Sequence, residues 1–137
     1  MKKNLVLIQP GIGDMDMFRA NPTPPLGLLC AASLVCAEFE VRIVDQRAEA
    51  DWRAALARAI DGGTVAVGLT AMTGGMILNA LEAARLARGL CGAPLIWGGI
   101  HASLRPAQTA AHGLADYVVE GEGELALAEL ARRLAAG

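Results

Sequence analysis

The chain has 137 residues, 12 Lys and Arg against 14 Asp and Glu, a formal net charge of −2 and an apolar fraction of 54%. That length is one domain of ordinary size, able to bury a core without disulfides or a structural metal. The near-neutral charge leaves no electrostatic footprint for nucleic acid, the apolar share excludes disorder, and no run of about 18 apolar residues is present to span a bilayer.

In chain order, residues 4–9 form a short apolar run that reads as a buried strand. Gln9 and Pro10 interrupt it too soon for a signal-peptide core, so a cytoplasmic protein is expected. Residues 26–38 read as a helix, with Pro24 and Pro25 near its first turn, where proline is tolerated. Residues 40–45 (Glu-Val-Arg-Ile-Val-Asp) make a β-branched strand, and residues 50–60 a helix stopped by Gly62 and Gly63. Residues 64–70 are a further buried strand, after which Thr73 can cap a long helix to about Leu90. Residues 94–97 are a strand, 106–112 a short helix, 116–119 a strand and 124–136 a final helix with Leu127, Leu130 and Leu134 at helical spacing.

Five strand–helix units point to an α/β fold: a doubly wound, five-stranded parallel sheet, Rossmann-like or flavodoxin-like, in the order 2-1-3-4-5. Ligands of such sheets sit beyond the carboxyl ends of the strands, where the winding reverses. The loops of interest are therefore residues 10–25, 71–75, 98–103 and 121–123. Cys30, Cys36 and Cys91 are odd in number and widely spaced, without a CxxC pair. This excludes a disulfide framework and an encoded zinc or iron–sulfur site, and three reduced, mostly buried thiols are expected.

Several loops carry glycine directly after a strand. In Trp97-Gly-Gly-Ile-His-Ala-Ser103, Gly98 and Gly99 end one strand and leave bare peptide for a bulky ligand. In Leu69-Thr-Ala-Met-Thr-Gly-Gly75, Thr70 and Thr73 offer hydroxyls and Gly74 and Gly75 open a helix. Glu120-Gly-Glu-Gly-Glu124 repeats the pattern, and Glu122 and Glu124 also complement the positive end of a helix dipole. Pro10-Gly-Ile-Gly13 resembles a dinucleotide fingerprint only briefly, because Asp16 stands where the third glycine belongs. The 10–25 loop reads either as a flap over a cleft or as a proline-stiffened surface loop. Asp45 suits a turn or cap. His101 lacks a second histidine or carboxylate cluster for catalysis, and His112 suits the carbonyls that close a short helix. Arg19, Arg42, Arg47, Arg53, Arg58, Arg85 and Arg88 are scattered as on a solvated surface.

Taken in order, five segments resemble the N-terminal cobalamin-binding domain of B12-dependent radical S-adenosylmethionine enzymes. They are Pro24-Pro-Leu-Gly-Leu-Leu29, Val41-Arg-Ile-Val-Asp45, Val67-Gly-Leu-Thr-Ala-Met-Thr-Gly74, Trp97-Gly-Gly-Ile-His-Ala-Ser103 and Val119-Glu-Gly-Glu-Gly-Glu124. The resemblance covers essentially the whole chain. It implies cobalamin held at the strand carboxyl ends by Pro10, Gly11, Thr70, Ala71, Met72, Thr73, Gly74, Gly98, Gly99, Ile100, His101, Gly121, Glu122 and Gly123. In related domains a Ser-x-Leu stretch and a Gly-Gly pair line the cleft for the nucleotide tail. Thr70-Ala71-Met72 and Gly98-Gly99 occupy those places.

Two departures from the pattern matter. The Asp-x-His-x-x-Gly motif, whose histidine ligates cobalt in mutases and methionine synthase, is missing, and no histidine precedes His101. Bound cobalamin is therefore expected base-off and His-off, its lower face met by the 10–25 loop or by Met72. The CxxxCxxC triplet is missing too. The resemblance thus implies a cofactor domain of a larger enzyme, of methyltransferase type as read from the family, with no catalytic residue of its own. The radical SAM catalytic domain, in cis or in trans, would carry the [4Fe-4S] cluster and S-adenosylmethionine. A rival reading is a flavodoxin-like interaction or regulatory domain that no longer binds cobalamin. Its phosphoacceptor form fails, because Thr70 stands where the aspartate is needed and Pro10 and Gly11 stand where the acidic pair is needed.

Overall fold

A computed structural model describes residues 2–14, 16 and 21–137. The elements run β1 (Asn4–Gln9), α1 (Leu26–Ala32), β2 (Glu40–Asp45), α2 (Trp52–Ala59), β3 (Thr64–Thr70), α3 (Gly75–Leu90), β4 (Leu95–Gly98), α4 (Gly99–Leu104), α5 (Pro106–Ala110), β5 (Tyr117–Val118) and α6 (Gly123–Ala136). The strands make one sheet in the order β2-β1-β3-β4-β5, every pair parallel. The expected α/β winding is thus the one found.

All six residues of β1 are buried, because β2 and β3 flank it and helices cover both faces. Side chains alternate between the faces. Leu5 and Leu7 join Leu28, Ile96, Leu127 and Ala131 under α1 and α6, while Val6 and Ile8 join Leu56, Val67, Leu95 and Trp97 under α2 and α3. Ala80, Ala83, Ala84 and Ala87 form the buried stripe of α3, so that helix lies close on the sheet. The chain leaves β1 towards β2 on one side and returns to β3 on the other, which sets the point of reversal between β1 and β3.

Some local expectations change. Helix α1 ends at Ala32 instead of running to residue 38. Beyond it the chain winds through tighter i→i−3 bonds, Ser33 to Cys30, Val35 to Ala32 and Glu38 to Val35, with Val35 and Phe39 buried. Residues 99–104 are helical, although 98–103 read as loop; the large apolar residues Ile100 and Leu104 are both exposed, so no amphipathic period marks the helix. Cys30 on α1 and Cys36 in the turns beyond it are exposed, and Cys91 at the end of α3 is half-buried, contrary to the expected buried thiols. Arg42 and Arg47 are not free surface charges: Arg42 pairs with Glu40 and Asp61, and Arg47 is buried against Asp45. His112 accepts from the Leu114 amide instead of meeting the helix carbonyls. Arg19 lies outside the described residues.

The sheet edge where the strands begin is closed by a polar network. Buried Asn4 donates to Asp61 Oδ1 (2.7 Å) and accepts from the Thr64 hydroxyl (2.9 Å), leaving its amide satisfied. Asp61 also accepts from Arg42 (2.6 Å) and the Gly63 amide (2.8 Å). The Arg42 guanidinium first, then the Gly63 amide, holds the Asp61 carboxyl below the usual aspartate range. A lowered folded-state pKa adds stability above the unfolded value, near pH 4, and that stability is lost as pH falls through the folded value. The melting temperature is therefore expected to drop below about pH 4, and Asp61→Asn should flatten that acid limb; a variant with the parent's limb would assign it to other carboxylates.

Candidate functional site

At the opposite edge, where the strands end, a cavity of about 300 Å³ opens between the sheet and the first turns of α1 and α6. Its floor is Leu7, Gly68 and Ile96, one residue from each of three neighbouring strands in register. A Cβ at Gly68 would stand 2.7 Å from Leu7 Cδ2, so a side chain there would have to displace the Leu7 tip. One wall is Gly27, Leu28, Cys30 and Ala31 of α1; the opposite wall is Val119, Gly121, Glu122 and the start of α6 with Leu127. Thr70, Gly98 and Gly99 close the inner rim, with Thr70 and Gly98 paired across β3 and β4.

The two glycines at the end of β4 do different things. Gly98 has extended backbone (φ −140°), and a Cβ there would meet only Val119 atoms, at 3.9 and 4.0 Å. By strand alternation it shares the Ile96 face, so it leaves the cavity open. Gly99 has φ +89°, and a Cβ would stand 2.4 Å from Thr70 Oγ1 and 3.1 Å from the Ala71 amide nitrogen. That glycine lets β4 turn against the end of β3, and the molecule's own Thr70 fills the space beside it. Of the expected pair, Gly98 alone presents open peptide.

The structure therefore brings together Thr70, Gly98, Gly99, Gly121, Glu122 and Gly123 from the sequence-predicted set. Ala71 is buried behind them; its carbonyl accepts from the His101 amide (3.0 Å) and its amide donates to Gly98 O (3.3 Å). Met72, Thr73, Gly74 and Ile100 are exposed along the same edge, outside the cavity wall. Thr73 does not cap α3, whose N-cap is Gly74 without a side-chain bond; its hydroxyl instead lies 3.0 Å from His101 Nδ1. His101 borders a smaller recess of about 160 Å³ on the other face, with Trp97, Thr109 and His112.

Pro10 and Gly11 are buried away from the cavity wall. The Gly11 amide donates to Gln46 Oε1 (2.8 Å), and Asn79 Nδ2 donates to the Gly11 carbonyl (2.7 Å). The far end of that loop is held too, since Arg47 donates to Thr23 O (2.9 Å) while gripping Asp45 with two nitrogens. Asp45 thus serves the turn after β2, as expected. Residues 15 and 17–20 of the loop, on which its reading as a flap also rests, lie outside the described residues. Sequence reasoning missed Leu7, Ile96, Leu28 and Leu127, which look like any core residue until the topology stacks them. Gly68 carried a signal, a glycine inside a strand.

A parallel sheet with an apolar recess and a few polar groups at its carboxyl edge defines a cofactor- or nucleotide-binding α/β domain. The family model for the B12 binding domain matches residues 19–131, and the chain belongs to that family. It is 33% identical over 138 aligned positions to an uncharacterized methyltransferase of Pyrococcus horikoshii, in a match taking in 98% of this chain and 30% of that protein. The structure of the radical S-adenosylmethionine methyltransferase TsrM from Kitasatospora setae, with cobalamin and a [4Fe-4S] cluster bound, superposes with a TM-score of 0.82 at 26% identity. That match covers 100% of this chain and 25% of the other. The same enzyme with tryptophan substrate and a SAM analogue gives a TM-score of 0.81 at 25% identity, over 98% of this chain and 26% of that one. The chain thus spans under a third of the length of each of these proteins. No helix among the described residues is long and apolar enough to cross a membrane.

Proposed function

We propose that this chain is the cobalamin-holding part of a radical S-adenosylmethionine methyltransferase, and that its cavity receives the nucleotide tail of the cofactor. The observation that carries this is the open Gly98 face above the Leu7–Gly68–Ile96 floor, at the carboxyl edge of a B12-family sheet. About 300 Å³ suits one flat ring system rather than a whole corrin. The cavity would take the base, and Met72, Thr73, Gly74, Ile100 and His101, along the same edge, would meet the corrin.

The residues fit such a tail. The floor and the α1 and α6 walls are mainly apolar, as an aromatic base requires, while Thr70 offers a hydroxyl at the rim and Gly121 to Gly123 leave backbone accessible. A base seated there would lie away from cobalt, and with no histidine in the first loop the cofactor would be held base-off and His-off. When bound, cobalamin supplies a cobalt centre able to carry a methyl group. This chain's own residues bind and orient that group and exclude water from its tail. The [4Fe-4S] cluster and S-adenosylmethionine belong, on this reading, to a catalytic domain outside residues 1–137.

Mixing the purified chain with hydroxocobalamin, removing free ligand and recording the visible spectrum tests the proposal. A retained corrin band of base-off character is expected. A colourless protein would favour a domain that keeps the fold without the cofactor.

A further inference from the structure

Strand β5 has only two residues, and its ladder ends at the bond from the Val119 amide to Trp97 O (2.8 Å). Just beyond it, Gly121, Glu122 and Gly123 nevertheless form a wall of the cavity. One side chain ties that wall to the rest of the edge. Ser103, in the last turn of α4, donates from Oγ to the Gly99 carbonyl (3.0 Å) and accepts from the Gly121 amide (2.8 Å). Gly99 and Gly121 both line the cavity, and both have positive φ, +89° and +70°. A serine bonding back to the carbonyl four residues earlier is common in helices. Here the same oxygen also takes an amide from another loop, so its geometry is fixed at both sides.

We propose that Ser103 is a positioning residue for the cofactor cavity: its hydroxyl sets the distance between the Gly98–Gly99 rim and the Gly121–Gly123 wall. This rests on the cobalamin reading above. The turn at 120–122 has no ladder partner beyond Val119, so without the hydroxyl the wall is free to swing, and the ligand must then order it on binding.

The test is Ser103→Ala and Ser103→Thr beside the parent chain. Three quantities are read: hydroxocobalamin affinity by visible titration, amide exchange at Gly121, and the melting temperature without ligand. Ser103→Ala is expected to bind roughly ten-fold more weakly, the worth of about one net hydrogen bond. Its Gly121 amide should exchange faster, with the ligand-free melting temperature nearly unchanged. Ser103→Thr, which restores the hydroxyl, should recover both affinity and protection. An Ser103→Ala chain binding as tightly as the parent overturns the proposal. So does an affinity loss matched by a general fall in melting temperature that Thr does not rescue. A parent chain that retains no corrinoid overturns the cobalamin reading itself, a result distinct from either.

Discussion

Gly98→Val is expected to abolish cobalamin retention while the protein stays folded. Gly98 has extended backbone, which a β-branched residue adopts readily, and its Cβ would enter space bounded only by Val119. The fold therefore accepts the valine. The added methyl groups would occupy the cavity next to Thr70, where the proposed site seats an aromatic base. A loss of at least about a hundred-fold in affinity is expected, since a ligand that cannot seat its tail forfeits most of its buried contact. Far-UV circular dichroism and the melting temperature should match the parent. If the valine chain still holds hydroxocobalamin through gel filtration, the tail does not lie against Gly98.

Gly99→Val, one residue on, should fail for a different reason. At φ +89° any L side chain is strained, by on the order of 1–3 kcal/mol. The Cβ would also sit 2.4 Å from Thr70 Oγ1 and 3.1 Å from Ala71 backbone atoms, so the ends of β3 and β4 must move apart. Overpacking of that kind adds roughly 1–3 kcal/mol more. Thermal or urea unfolding should show destabilisation of about 3 kcal/mol or more, with cobalamin lost as a consequence of the damage. A Gly99→Val chain as stable as the parent would mean that the corner is not built as described. The neighbouring glycines thus separate a ligand effect from a folding effect.

That contrast also marks what could be read from the amino-acid order. Strand order and the edge carrying the site follow from alternation and winding, because five apolar runs separated by helical stretches leave few arrangements. The end of β3 and both glycine turns, after β4 and after β5, were legible as glycine or threonine directly after a strand. What each glycine is for was not. Gly98 and Gly99 look identical in a string of letters, and only φ and the position of Thr70 tell them apart. Pro10 and Gly11 were expected at the ligand because they follow the first strand; Gln46 and Asn79, distant in the chain, instead hold Gly11 beneath the surface. The floor residues Leu7 and Ile96 carry no local mark at all, being ordinary strand hydrophobics placed in one row by register. Ser103 stood in plain view as the end of a glycine-led motif, but its second partner, Gly121, is 18 residues away.

The two ends of the sheet are fastened in different ways. Where the strands start, Asp61 joins Asn4 and Arg42, Arg88 reaches Asp116, Arg132 grips Glu38, and Lys3 meets the Ala135 carbonyl. At the far rim the ties gather after β1 and β2, where Gln46 and Asn79 hold Gly11 and Arg47 grips Asp45 and Thr23; beside the cavity the described side-chain ties are the hydroxyls of Ser103 and Thr73. That rim is stitched on its β1–β2 side and unstitched between α1 and α6. The leading turns of α1 and α6 meet through apolar and small residues, with Ala31 facing Gly123, and no described side-chain hydrogen bond joins them, so a small parting there breaks none. On the cobalamin reading, seating the tail would ask only those two turns to yield, while the polar lacing at the opposite edge stays closed.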